Sequence, residues 1–268
     1  MEPHIKKYFS QVSETQSGGE HYQVVVLHDT PDVSWEDIEE TVPTMPRGWY
    51  ELSRLTQEDR VEFTRDYWIS KLPYNPDSVK WFTKFFDRVE DIGVVVAEKH
   101  AGEPHIPHMI YALRDSSGFY HGQAPMTEKE RETLYTLFPA VIFPQDYLSF
   151  LEIHNGFSKT TDTGVVSTKI FPEVVKRFCA FMKEDHPPLT TKGGSVNPHS
   201  LIPFYESFGM PYYQCFWQDW YPENEMGNVY YSGSLHTISD PVDKVLCEEQ
   251  MAFPTFLDWL FFYLENVD

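Results

Sequence analysis

Cysteine is scarce in this 268-residue chain: Cys179, Cys215 and Cys247 lie far apart and without metal-ligand spacing. That speaks against a disulfide framework and leaves buried, reduced thiols as the expectation. Long apolar runs are missing too. None approaches the length of a membrane span, and the opening MEPHIKKYFSQ lacks the apolar stretch of a signal peptide, so the expected location is the cytoplasm with no membrane partner. Basic residues are few, 21 Lys and Arg against 41 Asp and Glu, and from Pro198 onward eleven acids face a single base, Lys244. For any one carboxylate, solubility is the simpler reading. As a set they make a field that repels nucleic acid and attracts a basic protein. No GxSxG elbow, HExxH helix, P-loop or dinucleotide fingerprint occurs, so the expectation is a non-enzymatic protein that needs no cofactor and no metal.

What the chain does have is core-forming residues, 41% hydrophobic and 16% aromatic, which places it among folded proteins. Residues 1–20 read as a mobile arm. His21 to Leu27 reads as a buried strand, and Ser34 with Asp37 as the cap of a short helix. Thr56 caps a helix whose apolar face is Val61, Phe63, Tyr67, Trp68 and Leu72. A second opens at Asn75-Pro76 with Val79, Phe82, Phe85, Phe86 and Val89 buried. Ile92–Ala97, Met109–Leu113 and Phe119–His121 read as strands, the last two separated by the turn cluster Asp115-Ser116-Ser117-Gly118. Helices followed by a strand meander, without βαβ alternation, predict an α+β arrangement. The boundary between the extension, 21–125, and a second domain, 126–268, falls near Ala124-Pro125. His100, His105 and His108 with Glu98 and Glu103 form the densest set of ligand-type residues. HAGEPHIPH nevertheless holds two prolines and no helical i,i+4 pair, so it reads as a polar turn and not a zinc site.

Thr127 and Glu130 make a capping box for a helix through Leu137, which leads into FPAVIFPQDYLSFLEIHNGF, residues 138–157. Pro144 suits the first helical position, Asp146 the positive end of the helix dipole, and Tyr147, Leu148, Leu151 and His154 one apolar stripe. Asn155 and Gly156 can take positive φ and close the last turn, with His154 as a cation at the helix C-terminus. The pattern Pro144, Asp146, Tyr147, Phe150, Leu151, Asn155, Gly156 resembles the signature of the SUKH superfamily, bacterial toxin-immunity proteins and a yeast cell-wall regulator. Leu201-Ile202-Pro203-Phe204, Gly227-Asn228-Val229-Tyr230 and a Phe253–Leu264 closing helix follow in the matching order, so the likeness covers roughly 127–268. It implies an antiparallel or mixed sheet backed by helices, and binding without chemistry. On this reading the motif residues set the fold and do not contact a partner.

Beyond Gly156, residues 158–164 read as a polar loop, Val165–Ile170 as a strand, and Pro172 as the start of an amphipathic helix with Val174, Val175, Phe178, Phe181 and Met182 on one side. HPPLTTKGGSVNPHS reads as an exposed loop. From Phe204 to Tyr231 there are eleven aromatics. Alternation over Tyr212–Trp217 sends Tyr212, Gln214 and Phe216 to one face and Tyr213, Cys215 and Trp217 to the other. One face is core; the other is either covered by helices or open as a surface of rings rimmed by carboxylates. In the second case Trp217, Trp220 and Tyr221 anchor a protein partner, a toxin domain or regulatory protein, while Asp219, Glu223 and Glu225 steer its basic surface. Two rivals belong to other classes: a hydrolase using Asp219 and Glu223 as paired carboxylates, and a dimeric chaperone for secreted effectors.

Overall fold

The computed structural model describes Ile5 and residues 23–114, 118–160, 162–183, 189–191, 194–207, 210–220, 226–239 and 251–265. The rest of the 1–20 arm, Asp115 to Ser117 of the turn cluster, Tyr221, Glu223, Glu225 and Cys247 lie outside the described residues. The chain divides into two units, Met1–Pro125 with Ile153–Thr161, and Met126–Glu152 with Asp162–Val267. Both are built of helices and antiparallel strands, so the protein is α+β.

In the first unit β1 (Gln23–Val26) runs into a single 3-10 turn. Ser34 and Asp37 then cap one another reciprocally to start α1 (Trp35–Thr41). After α2 (Arg47–Leu52), the Thr56 hydroxyl accepts the Asp59 N–H at the start of α3 (Gln57–Lys71), and α4 (Ser78–Phe86) follows. The meander β2 (Val89–Glu98), β3 (Ile106–Leu113), β4 (Phe119–Gln123) is joined by β5 (Phe157–Lys159), which arrives from later in the chain. The order is β1-β2-β3-β4-β5 and every neighbour is antiparallel.

Alternation separates the sheet's two sides. Val95, Ala97, Ile110, Ala112 and Phe119 pack with Val26 and Ile5 on one. On the other, Trp68 is fully buried among Phe82, Phe86, Tyr111 and Phe157, at ring-centroid distances of 5.6–5.7 Å.

α3 departs from the expected apolar face. Its buried positions are Arg60, Thr64 and Trp68, spaced i, i+4, i+8, while Phe63 is 58% and Tyr67 40% exposed. Burial of the polar pair is made tolerable by bonding: Arg60 Nη2 lies 2.6 Å from the Asp91 carboxylate, and Thr64 donates to the Arg60 carbonyl at 2.8 Å. Val79 likewise faces solvent at 59% exposure, although Phe82, Phe85 and Phe86 are buried as expected and Val89 is buried in β2.

In the second unit, Thr127 and Glu130 form the capping box of α5 (Glu128–Leu137). Pro144 stands at the N-cap of α6 (Gln145–Leu151), one position earlier than expected. The helix also stops early, and His154 lies beyond it. Asp146 is buried, with one carboxylate oxygen accepting the Tyr147 N–H at 2.8 Å and the other the Leu257 N–H at 2.9 Å. Leu257 sits in the first turn of α8 (Phe256–Glu265), so a single carboxylate satisfies orphan donors at two helix N-termini.

Between α6 and α8 come β6 (Gly164–Val165), α7 (Phe171–Lys183), the hairpin β7 (Thr190–Thr191) with β8 (Gly194–Ser195), then β9 (Leu201–Glu206), β10 (Tyr212–Trp217), β11 (Asn228–Ser232), β12 (Thr237–Ile238) and β13 (Ala252–Phe253). The order is β6-β9-β10-β11-β12, with β13 also on β11, all antiparallel. Three loop and strand expectations change here. Ser158–Lys159 is strand, the Val165–Ile170 segment turns after Val165, and the breaker-dense 186–200 segment contains the β7–β8 hairpin and buries Leu189 and Val196.

Tyr147 is the centre of this unit's core, 5.0 Å from the Phe216 ring and 5.2 Å from Phe256. Its hydroxyl is buried with no hydrogen-bond partner among the described residues, and burial pushes its pKa up. Tyr147→Phe should therefore leave urea stability unchanged or raise it by ~1 kcal/mol, since it deletes an unsatisfied polar atom and keeps the ring. A loss above that size would mean the hydroxyl has a partner in solution.

Candidate functional site

Both faces of β10 are covered, which settles the choice that alternation left open. Phe216 packs between Phe204, 4.2 Å away, and Tyr147, while Tyr213 on the other side meets Phe178 of α7 at 5.1 Å. Gln214 and Cys215 are buried as well, and the amide of Gln214 donates to Asn228 at 2.7 Å. The strand is thus not an open row of rings.

The exposed part of the expected surface shrinks to the end of the strand. Trp217 and Trp220 are half-buried with ring centroids 6.3 Å apart, and Asp219 between them is exposed. Main-chain bonds hold this corner: Trp217 N–H donates to the Gly227 carbonyl at 3.0 Å, Gly227 N–H returns to the Trp220 carbonyl at 3.2 Å, and Gln218 N–H reaches Ser200 at 2.9 Å. The Trp220 ring lies against Gly227 so closely that a Cβ there would collide with it. Three of the six residues expected at a partner surface therefore stand together on a fixed turn. Of the hydrolase's carboxylate pair only Asp219 is described.

A second site, invisible in the sequence, lies wholly in the first unit. It is a cavity of about 280 Å³ whose walls include Trp49, Leu52, Thr64, Trp68 and Met109. The exposed rings Phe63 and Tyr67 also line it, so two α3 residues that fail to enter the core border this space.

At its base is a hydrogen-bonded relay. Trp68 Nε1–H donates to the Tyr111 hydroxyl at 3.1 Å, and that hydroxyl lies 2.6 Å from His154 Nε2. His154 Nδ1 lies 3.1 Å from the Gln123 carbonyl, which can only accept. The proton of a neutral imidazole therefore sits on Nδ1, and Nε2 accepts from Tyr111. Burial lowers the His154 pKa to about 3 and raises that of Tyr111. His154 is thus a neutral core residue, correcting its expected role as a cationic helix cap: the helix ends before it, and no solvent reaches it to stabilise a charge.

Gly122 makes room for the imidazole, whose ring occupies the space a Cβ would need. Gly156, at φ 110°, then turns the chain into β5, and its carbonyl accepts the Gln123 N–H at 2.9 Å. Asn155 does not take positive φ, and its N–H donates to Ala124.

The histidine-rich segment, expected to be a polar turn, is the β2–β3 connection only as far as His105, and Ile106 to His108 already belong to β3; Gly102, at φ 85°, donates its N–H to Glu98. His105 lies 3.8 Å from Glu98. Among the described residues no group of three His, Cys, Asp or Glu side chains is arranged to hold a metal. Cys179 and Cys215 are free thiols. No helix among the described residues is long and apolar enough to cross a membrane. Comparison of the chain with protein-family models, with curated proteins and with solved structures finds no match.

Proposed function

We propose that this chain is a non-enzymatic protein-binding module of SUKH type, acting in the cytoplasm as an immunity or scaffold protein for a basic partner. The observation that carries the reading is the rigid Trp217–Asp219–Trp220 corner: two aromatic rings left half open on a turn whose backbone is bonded in place. Preorganised tryptophans are the side chains that most often anchor a protein interface. Tyr221, Glu223 and Glu225, the other residues proposed to meet the partner, follow directly in sequence. The eleven-to-one excess of acids over bases from Pro198 onward supplies the steering field.

Affinity capture with the intact chain, followed by kinetics on the recovered partner, tests this. Trp220→Ala should weaken binding by about thirtyfold or more, as a hot-spot ring does. Gly227→Ala should do nearly the same, because the added methyl displaces the Trp220 ring while leaving it in the sequence. Association should slow as salt rises. A partner held equally by both variants, or one whose association rate ignores salt, would refute the assignment.

A further inference from the structure

We propose that the cavity of the first unit is a binding site for a small, uncharged aromatic molecule of one or two rings. The volume, about 280 Å³, exceeds the roughly 150 Å³ that accepts a benzene ring in an apolar protein cavity, and leaves room for a fused pair. The chemistry follows from the walls. No lining residue carries a formal charge, with the imidazole of His154 neutral. The polar groups at the base are already engaged: Trp68 with Tyr111, Tyr111 with His154, His154 with Gln123, and Thr64 with the Arg60 carbonyl.

A charged guest would lose its hydration with nothing to replace it. Water would find too few free partners to be held well. An apolar guest costs the site nothing in hydrogen bonding, and the rings of Trp49, Phe63 and Tyr67 favour a ring over a chain. Phe63 and Tyr67, one helical turn apart on α3, are the large rings this unit leaves in contact with solvent beside the cavity. Their exposure serves an entrance and contributes little to folding.

The site is independent of the Trp217–Trp220 corner, so loss of one function leaves the other measurable. Fluorine NMR titration of the full chain with 5-fluoroindole tests it, with 4-fluorobenzoate as the charged comparison. Saturable binding of 5-fluoroindole is expected, with at least about tenfold weaker binding of 4-fluorobenzoate.

Gly48 also lines the cavity, and a Cβ built on it meets nothing within 4 Å, so Gly48→Phe can enter the space without disturbing the core. That variant should lower the affinity for 5-fluoroindole about tenfold. The exposed double variant Phe63→Ala/Tyr67→Ala should weaken it as well, and remains decisive should Gly48→Phe fold poorly. Absence of 5-fluoroindole binding, equal affinity for 4-fluorobenzoate, or unchanged affinity in the variants would overturn the proposal. Tighter binding of N-acetyltryptophanamide than of 5-fluoroindole would overturn it too, by assigning the cavity to a side chain presented on a polypeptide.

Discussion

Between pH 7 and pH 4 the protein is expected to lose several kcal/mol of folding stability. His154 is fully buried and His121 half-buried, and burial lowers their pKa values to about 3 and about 4, against 6.5 for an exposed imidazole. His28 is lowered as well, first by burial and then by the charge of Arg60. As the pH falls below 6.5 the unfolded chain takes up these protons while the folded one does not, so acid favours unfolding. The stability supplied by the neutral imidazoles is complete above 6.5 and lost progressively toward the folded values. Each such histidine removes up to about 1.4 kcal/mol per pH unit. Together His154 and His121 remove up to about 7 kcal/mol between pH 6.5 and pH 4, comparable to the lower part of the roughly 5–15 kcal/mol range of folding stabilities.

Urea midpoints measured at pH 7, 6 and 5 should fall at each step. His121→Asn, which removes one of the two main groups, should flatten the decline. A midpoint that stays constant from pH 7 to pH 5 would show that these rings titrate normally in the folded protein.

Gly122→Ala is expected to cost about 3 kcal/mol, the upper end for overpacking a core. The added methyl must displace the His154 imidazole, and that ring has nowhere to go. Both nitrogens are hydrogen-bonded, one face stacks on Phe157 at 5.5 Å, and Trp68 closes another side at 5.9 Å. Gly48→Ala makes the contrasting case. It lies in α2 with open space at its Cβ and should stabilise by ~0.5–1 kcal/mol through helix propensity alone. Urea unfolding of the two variants separates the effects; a Gly122→Ala protein within 1 kcal/mol of its parent would mean that the imidazole can shift at little cost.

Local chemistry was legible in the residues. Ser34 with Asp37, Thr56, and Thr127 with Glu130 start helices because a short side-chain oxygen meets an N–H three residues on, which distant contacts do not alter. Long-range pairing was not legible. His154 continues the Tyr147–Leu151 spacing, so periodicity extends the helix through it. Its actual partners, Tyr111 and the Gln123 carbonyl, are 43 and 31 residues away. The α3 face misleads for the same reason: Arg60 and Thr64 read as polar surface until Asp91, a strand away, neutralises the guanidinium.

The aromatic strand shows where period-two reasoning stops. It sorts Tyr213 from Phe216 but cannot say that α7 covers one while α6 covers the other. The cavity had no sequence signal beyond two large rings on one helix, Phe63 and Tyr67.

The first unit borrows its last strand from beyond α6, and this has a consequence during synthesis. When residue 125 leaves the ribosome the strands of the meander have all been synthesised, yet the β5 neighbour of β4 and the imidazole acceptor of Tyr111 have not. At roughly 5–20 residues per second, the wait until Lys159 emerges is on the order of 2–7 seconds. During that interval an unpaired strand edge leaves the nascent chain open to edge-to-edge association. Growth conditions that stall translation between codons 125 and 160 should therefore harm yield more than stalling elsewhere.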